Sequence, residues 1–303
     1  MPALPVTHTS TVTEDQIDHL GHMNVRFYGT NAQAASNAVV DGLGIDPGQV
    51  DLTDVYTRHH HEQLLGAPLA VRSGVIAASD GGIRIYHELV NTEDEALAAT
   101  FVHGLTPHGG AALPATAIDR ARASLVALPD GVARTIDLDA DPMRTAPTLD
   151  EVRARGLAMR KPRSVTGDEC DEGGDYIPEF APMLTWAGTP VGGGARGDVL
   201  HDGPNGERMG WASMETRMAA PRLPRLGDRI QSFGALIEMR DKTTHRIQWA
   251  FDLERGDLLT SFEAVSLAFD TVGRRAMSIP QWIRDAEQAT LQPDLAPKAA
   301  ATS

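Results

Sequence analysis

The sequence is short of cysteine. Cys170 is the only one among 303 residues, so no disulfide can form within the chain. This usage fits a reducing compartment, and we expect a cytoplasmic location. Cys170 itself is predicted to be a small buried apolar residue rather than a nucleophile.

Long apolar runs and positive charge are also scarce. No run approaches the roughly 20 apolar residues that span a bilayer, and the N-terminal "MPALPVTHTSTVTEDQ" lacks the basic start and apolar centre of a signal peptide. We therefore expect no membrane association. Lys and Arg number 27 against 41 Asp and Glu, a net charge of -14. Affinity for nucleic acid comes from Lys and Arg, so no nucleic-acid partner is expected.

Several site motifs are missing or incomplete. No GxSxG sequence is present, which gives no support to a serine hydrolase of the α/β type. The glycine-rich segment 188–208 has no GKS/T ending and is interpreted as a flexible insertion. The run His59-His60-His61 lies on a predicted strand, where consecutive side chains point to opposite faces. We therefore predict no metal site and no cofactor.

What the sequence does contain is an internal repeat. "VTEDQIDHLGHMNVRFY" from Val12 aligns with "VTGDECDEGGDYIPEF" from Val165 at an offset of 153. Six identities support the alignment, at Val12, Thr13, Asp15, Asp18, Gly21 and Phe27 of the first copy. Three later blocks match in order at offsets of 161 to 166, so an insertion of about eight residues is predicted in the glycine-rich segment.

The repeat predicts the domain organisation. A first unit covers 1–125, a turn-rich connector covers 126–162, and a second unit covers 163–290. The last residues, 291–303, are predicted to be a disordered tail.

Within each unit the pattern predicts one early helix, several antiparallel strands and a short helix after a proline. In the first unit Asn24 is a good N-cap. The helix that follows has an apolar stripe at spacings of three and four residues: Val25, Tyr28, Ala32, Ala35, Val39 and Leu43. In the second unit Pro178 and Pro182 predict a weaker helix.

The residues around this helix start carry a resemblance. The pattern D-x-x-G-H-x-N-x-x-x-Y, formed by Asp18, Gly21, His22, Asn24 and Tyr28, resembles hotdog thioesterases of the 4-hydroxybenzoyl-CoA and YbgC-like acyl-CoA group. The resemblance covers residues 8–106 and reaches 164–276 through the repeat. It implies an α+β tandem, or double, hotdog fold, in which each unit is an antiparallel sheet wrapped around a central helix.

The resemblance also implies roles. Asp18 would act as nucleophile or general base on an acyl-CoA or other acyl thioester, with His22 and Asn24 ordering the loop or positioning water. The amide near Val25 would polarise the thioester carbonyl, because the first amides of a helix have no helical acceptor. Gly21, Tyr28 and Val25 would then contact the substrate.

The second unit departs from the pattern. It keeps Asp171 and Gly174 but has Asp175 and Ile177 where the first unit has His22 and Asn24. The second unit is therefore predicted to be degenerate, with Asp171 as a candidate substrate-binding residue.

Two other functions stay open. One is a hotdog enoyl-CoA hydratase or dehydratase, although the Asn-Pro that such sites carry after the acid is missing here. The other is a non-catalytic acyl-CoA-binding protein. Single hotdog units pair into dimers, so a fused pair either satisfies that pairing internally or forms a homodimer of double-hotdog chains.

Overall fold

The computed structural model describes residues 4–18, 21–191, 200–203, 206, 208–288 and 290–298. The chain divides into two compact units, Met1–Arg134 and Thr135–Ser303, and the division falls inside the predicted connector. Across the described ranges, no helix is both long enough and apolar enough to cross a bilayer.

The first unit is built on five antiparallel strands. Their spatial order is β1-β3-β4-β5-β2. In chain order they are β1 (Val6–Thr11), β2 (Val50–His59), β3 (Pro68–Ser79), β4 (Gly82–Asn91) and β5 (Leu97–Pro107). Alternation along β4 was predicted from the sequence and is confirmed, since Ile83, Ile85, His87 and Leu89 are all buried.

Helix α1 (Val25–Gly42) packs on this sheet. Tyr28, Ala32 and Ala35 of the predicted stripe are buried against strand residues that include Leu89 and Phe101. The predicted burial of this stripe is wrong at its first residue, because Val25 is 56% exposed. The first helical residue lies at the edge of the buried face, so its side chain extends into solvent.

A buried polar chain also joins α1 to the sheet. Ser36 lies 2.9 Å from Nε2 of His87 and 2.8 Å from Nδ1 of His103, which belong to β4 and β5. Nδ1 of His87 lies 2.7 Å from the hydroxyl of Ser73 on β3. Burial lowers the pKa of His103 to about 3 and that of His87 well below its usual value. Both rings are therefore neutral in the folded unit.

A short helix follows the last strand of each unit, as predicted. These are α2 (Ala115–Ala123) and, in the second unit, α5 (Gln281–Gln288). Pro114 and Pro280 precede them, and their carbonyls accept hydrogen bonds from the first turn. A proline suits this place because it has no amide hydrogen to leave unpaired.

The second unit also contains an antiparallel sheet. Its main strands lie in the order β8-β11-β10-β9-β6, with β7 on β8 and β12 on β11. The strands are β6 (Arg163–Ser164), β7 (Leu200–Asp202), β8 (Arg208–Ala219), β9 (Arg229–Met239), β10 (Thr243–Asp252), β11 (Leu258–Asp270) and β12 (Arg275–Ala276). Ile247, Trp249 and Phe251 alternate into the core, as the sequence predicted.

The early helix of the second unit is broken, which confirms the prediction from its prolines. A single 3-10 turn at Pro178–Phe180 is followed by the four-residue helix α4 (Met183–Trp186). A proline inside a helix removes a donor and collides with the preceding turn. The predicted insertion at 188–208 lies partly outside the described residues, and the described ones include β7.

The two units share backbone pairing at the offsets seen in the sequence. The amide of Gly66 donates to the carbonyl of Val12 at 2.9 Å, and that of Gly227 donates to Val165 at 3.0 Å. The segments before the two early helices therefore meet their sheets in the same way.

The connector contains helix α3 (Leu149–Ala154), where a short helix was predicted. The predicted disordered tail is wrong for its described part, 291–298. The Gln292 amide donates to Leu236 of β9 at 2.7 Å, and Arg155 lies 2.8 Å from Asp294. Leu295 also packs against the core of the second unit, so apolar burial orders this segment.

Candidate active site

A tight loop leads into α1. The Asp18 amide donates to the carbonyl of His22 at 2.9 Å, and the Gly21 amide donates to Asp18 at 3.0 Å. Gly21 has a φ of +86°, a left-handed conformation that glycine adopts with little strain. This closure brings the side chains of Asp18 and His22 to the same end of the helix.

Asn24 begins the helix, as the sequence predicted. Its side-chain oxygen accepts from the Arg26 amide at 3.1 Å, and its carbonyl accepts from Phe27 at 3.0 Å. The observed contacts of Asn24 are thus those of an N-cap, worth about 1 kcal/mol of helix stability. The Val25 amide is the first of the helix and has no acceptor within it. This donor carries partial positive charge, and it is the group that the resemblance assigns to the thioester carbonyl.

Asp18 and His22 form the centre of the site. Oδ2 of Asp18 lies 3.5 Å from Nδ1 of His22, and the two side chains are only 15% and 16% exposed. The other ring nitrogen, Nε2, lies 3.6 Å from Oε1 of Glu62, which is 53% exposed. The imidazole therefore has a carboxylate at each nitrogen.

Tyr28 closes the inner side of the site. It is buried, its hydroxyl donates to the carbonyl of His61 at 3.2 Å, and its ring meets that of His59 edge-on at 5.2 Å. Burial raises the pKa of Tyr28 to about 12, with the negative charges of Glu62 and Asp18 adding to the shift. The phenol is therefore neutral at physiological pH and acts there as a hydrogen-bond donor.

The three consecutive histidines have separate surroundings. Burial, with a smaller effect from His60, lowers the pKa of His59 to about 4. Nδ1 of His61 lies 2.9 Å from the carbonyl of Leu97. Among the described residues, no three His, Cys, Asp or Glu side chains are grouped so as to hold a metal ion.

The second unit repeats the backbone of this loop with different side-chain contacts. The Asp171 amide donates to Asp175 at 2.9 Å, the Gly174 amide donates to Asp171 at 3.0 Å, and Gly174 has a φ of +79°. Oδ1 of Asp171 accepts from the amides of Gly173 and Asp175, so this carboxylate caps its own loop. Asp175, in the place of His22, pairs with Arg225 at 3.0 Å. A substrate-binding role for Asp171 stays a prediction.

Sequence reasoning missed Glu62. Its side chain is 53% exposed and lies beside the three histidines in sequence. Its approach to His22 depends on how the end of β2 lies against the loop, which no local pattern in the sequence encodes. The predicted residues Asp18, Gly21, His22, Asn24, Val25 and Tyr28 do lie together at the start of α1.

The geometry agrees with a family match. Residues 12–121 match the model of the thioesterase-like superfamily. The first unit is thus similar to domains of that superfamily. The match begins just before the Asp18 loop and ends in α2, so it contains the whole candidate site.

Solved structures extend the fold comparison over both units. The chain is similar to 12:0-ACP thioesterase from Umbellularia californica at 10% identity, covering 86% of this chain and 93% of that one, with a TM-score of 0.58. It is also similar to an acyl-ACP thioesterase from Bacteroides thetaiotaomicron at 8% identity, covering 86% and 96%, with a TM-score of 0.55. No curated protein sequence matches significantly. These likenesses show that the chain has the fold of these thioesterases. The family match over residues 12–121 supports an enzyme of the thioester hydrolase class.

Proposed function

We propose that the chain hydrolyses acyl thioesters, with acyl-CoA as the substrate class, and that Asp18 is its catalytic carboxylate. The observation that carries the proposal is the position of Asp18: a largely buried carboxylate beside His22, one loop ahead of the α1 amides. A carboxylate and a set of oriented donors are what thioester hydrolysis requires.

Two routes use this arrangement. In the first, Asp18 attacks the carbonyl carbon, the thiolate leaves, and water hydrolyses the resulting anhydride. In the second, Asp18 takes a proton from water, the hydroxide attacks the carbonyl, and the departing thiolate recovers a proton. In both, negative charge develops on the carbonyl oxygen, and the proposed role of the Val25 amide is to stabilise that charge.

We further propose that the two units form a tandem hotdog of the YbgC-like subtype. The repeated loop before each early helix and the matched pairing of Gly66 and Gly227 support the tandem arrangement. The D-x-x-G-H-x-N pattern supports the subtype. A cytoplasmic location and a homodimer stay predictions that accompany this proposal.

A panel of acyl-CoAs tests the function directly. Short, long, branched and aromatic acyl groups are incubated with the full chain, and free thiol is measured. Thiol release that depends on the protein supports hydrolysis. An absorbance change with enoyl-CoA and no thiol release would indicate a hydratase. Tight binding with neither reaction would indicate a non-catalytic acyl-CoA-binding protein.

A further inference from the structure

We propose that Glu62 is a positioning residue, which holds the imidazole of His22 in place beside Asp18. This inference rests on the proposed hydrolysis. The geometry that carries it is the pair of contacts at the two ring nitrogens, 3.5 Å to Asp18 and 3.6 Å to Glu62. A ring that meets a carboxylate at only one nitrogen can swing about that contact. A second carboxylate at the opposite nitrogen fixes its direction.

The backbone around Glu62 is fastened on two sides. The amides of His60 and His61 both donate to the carbonyl of Ala98, at 2.9 and 3.2 Å. On the other side the Met23 amide donates to the carbonyl of Gln63 at 2.8 Å. The segment that carries Glu62 is therefore tied to β5 and to the loop that carries His22. Backbone hydrogen bonds therefore hold the segments that carry Glu62 and His22 next to each other.

The neighbouring side chains of Tyr28 and His59 make other contacts. The Tyr28 hydroxyl donates to the carbonyl of His61. His59 packs edge-on against Tyr28, and burial keeps its ring uncharged at neutral pH. Because Glu62 is half exposed, water and salt screen its electrostatic interaction with His22. Its contribution is therefore expected to be orientation, with a moderate effect on rate.

A double-mutant cycle on turnover tests the role. Glu62→Gln should lower kcat about tenfold and leave KM within about twofold, because orientation changes while binding does not. In a His22→Gln background, Glu62→Gln should have no further effect, since Glu62 acts through His22. The control is Glu93→Gln, which removes an exposed carboxylate from a turn of the same unit and should leave kcat unchanged.

An NMR measurement on the protein without substrate tests this inference independently of the proposed function. In the protein labelled with ¹⁵N-histidine, the His22 ring signals are identified by their loss in His22→Gln. Glu62→Gln should shift those signals, and Glu93→Gln should not.

The outcomes distinguish the two claims. Unshifted His22 signals in Glu62→Gln would overturn the positioning role whether or not the protein hydrolyses thioesters. The positioning role would also be overturned if the double variant lowered kcat by the product of the factors measured for Glu62→Gln and His22→Gln alone. Shifted signals in a protein that hydrolyses no thioester would retain the contact and reject the proposed function.

Discussion

The loop that positions Asp18 contains Gly21, whose left-handed backbone conformation is strained for other residues. A Cβ on Gly21 would meet no atom within 4 Å, so the effect of a substitution there comes from its φ of +86°. Gly174 has the same conformation in the second unit, and a Cβ there would make only an ordinary 3.6 Å contact with Leu226. The two glycines form a matched pair that differs in whether the loop carries the proposed chemistry.

Gly21→Ala and Gly174→Ala are predicted to separate stability from activity. Each should cost about 1 kcal/mol and lower the unfolding midpoint by a few degrees, because alanine resists positive φ. Only Gly21→Ala should lower kcat, since its loop orients Asp18 and His22. Thermal unfolding and thiol release measured on both variants check this, and equal activity in the two variants would argue against the loop's role.

At the scale of single residues, local patterns predicted where α1 begins and which residue caps it. Asn24 was identified as the helix cap because capping depends on residues two or three positions away. Glu62 was not identified because it lies forty positions from His22. The two segments meet only in the folded unit, where the Met23 amide donates to the carbonyl of Gln63. Val25 was assigned to the apolar stripe by spacing alone, which does not show where the buried face begins.

At the scale of elements, α1 is fixed to its sheet by polar as well as apolar contacts. Ser36 lies between His87 and His103, and Asn31 accepts from Ser10 of β1. The apolar periodicity predicted the helix but not these two polar residues on its buried face. Their partners lie on strands distant in sequence, so only the folded unit reveals why a serine and an asparagine are buried there.

Ser36→Ala is predicted to destabilise the first unit by about 1–3 kcal/mol, because it leaves ring nitrogens of two buried histidines without a partner. Thr30→Ala is the control, since Thr30 is exposed on the same helix and alanine is a better helix former. Chemical denaturation of both variants measures the difference. Equal stability in the two would contradict the importance of the polar chain.

The same histidines predict how stability depends on pH. His103 has a pKa near 3 in the folded unit and about 6.5 when unfolded. Between these values the unfolded chain binds a proton that the folded chain does not. The free energy of unfolding therefore decreases as pH drops below about 6.5, and the contribution of His103 is fully present above that pH. His87 acts in the same direction. Unfolding midpoints from pH 7.5 to pH 4 should fall, and a His103→Gln variant should show a shallower fall; an unchanged slope would contradict this origin.

At the scale of the whole molecule, the sequence repeat predicted two units of one plan, and the two sheets and their paired loops agree with it. The prediction that the second unit is degenerate rested on Pro178, Pro182 and the loss of a histidine and an asparagine. At these positions the structure has a broken helix and a loop in which the carboxylate of Asp171 accepts hydrogen bonds from its own backbone. The ordered tail was missed because its few apolar residues lie in a proline-rich segment that resembles a linker.

One binding event per chain is the prediction that follows from this asymmetry. A non-hydrolysable thioether analogue of an acyl-CoA substrate should bind with a stoichiometry of one, because only the first unit carries the Asp18, His22 and Asn24 set. Titration calorimetry on the full chain measures this number. A stoichiometry of two would show that the second unit retains a working site.

The most direct test of the central claim is the thioesterase activity of Asp18→Asn, compared with Asp41→Asn. Asparagine nearly preserves the shape of aspartate but is a poor nucleophile and base, and Asp41 is an exposed carboxylate at the other end of α1. On the best substrate of the acyl-CoA panel, Asp18→Asn should lower kcat by about 100-fold or more with its unfolding midpoint preserved, while Asp41→Asn keeps normal turnover. Near-normal thiol release by a folded Asp18→Asn variant would contradict the account.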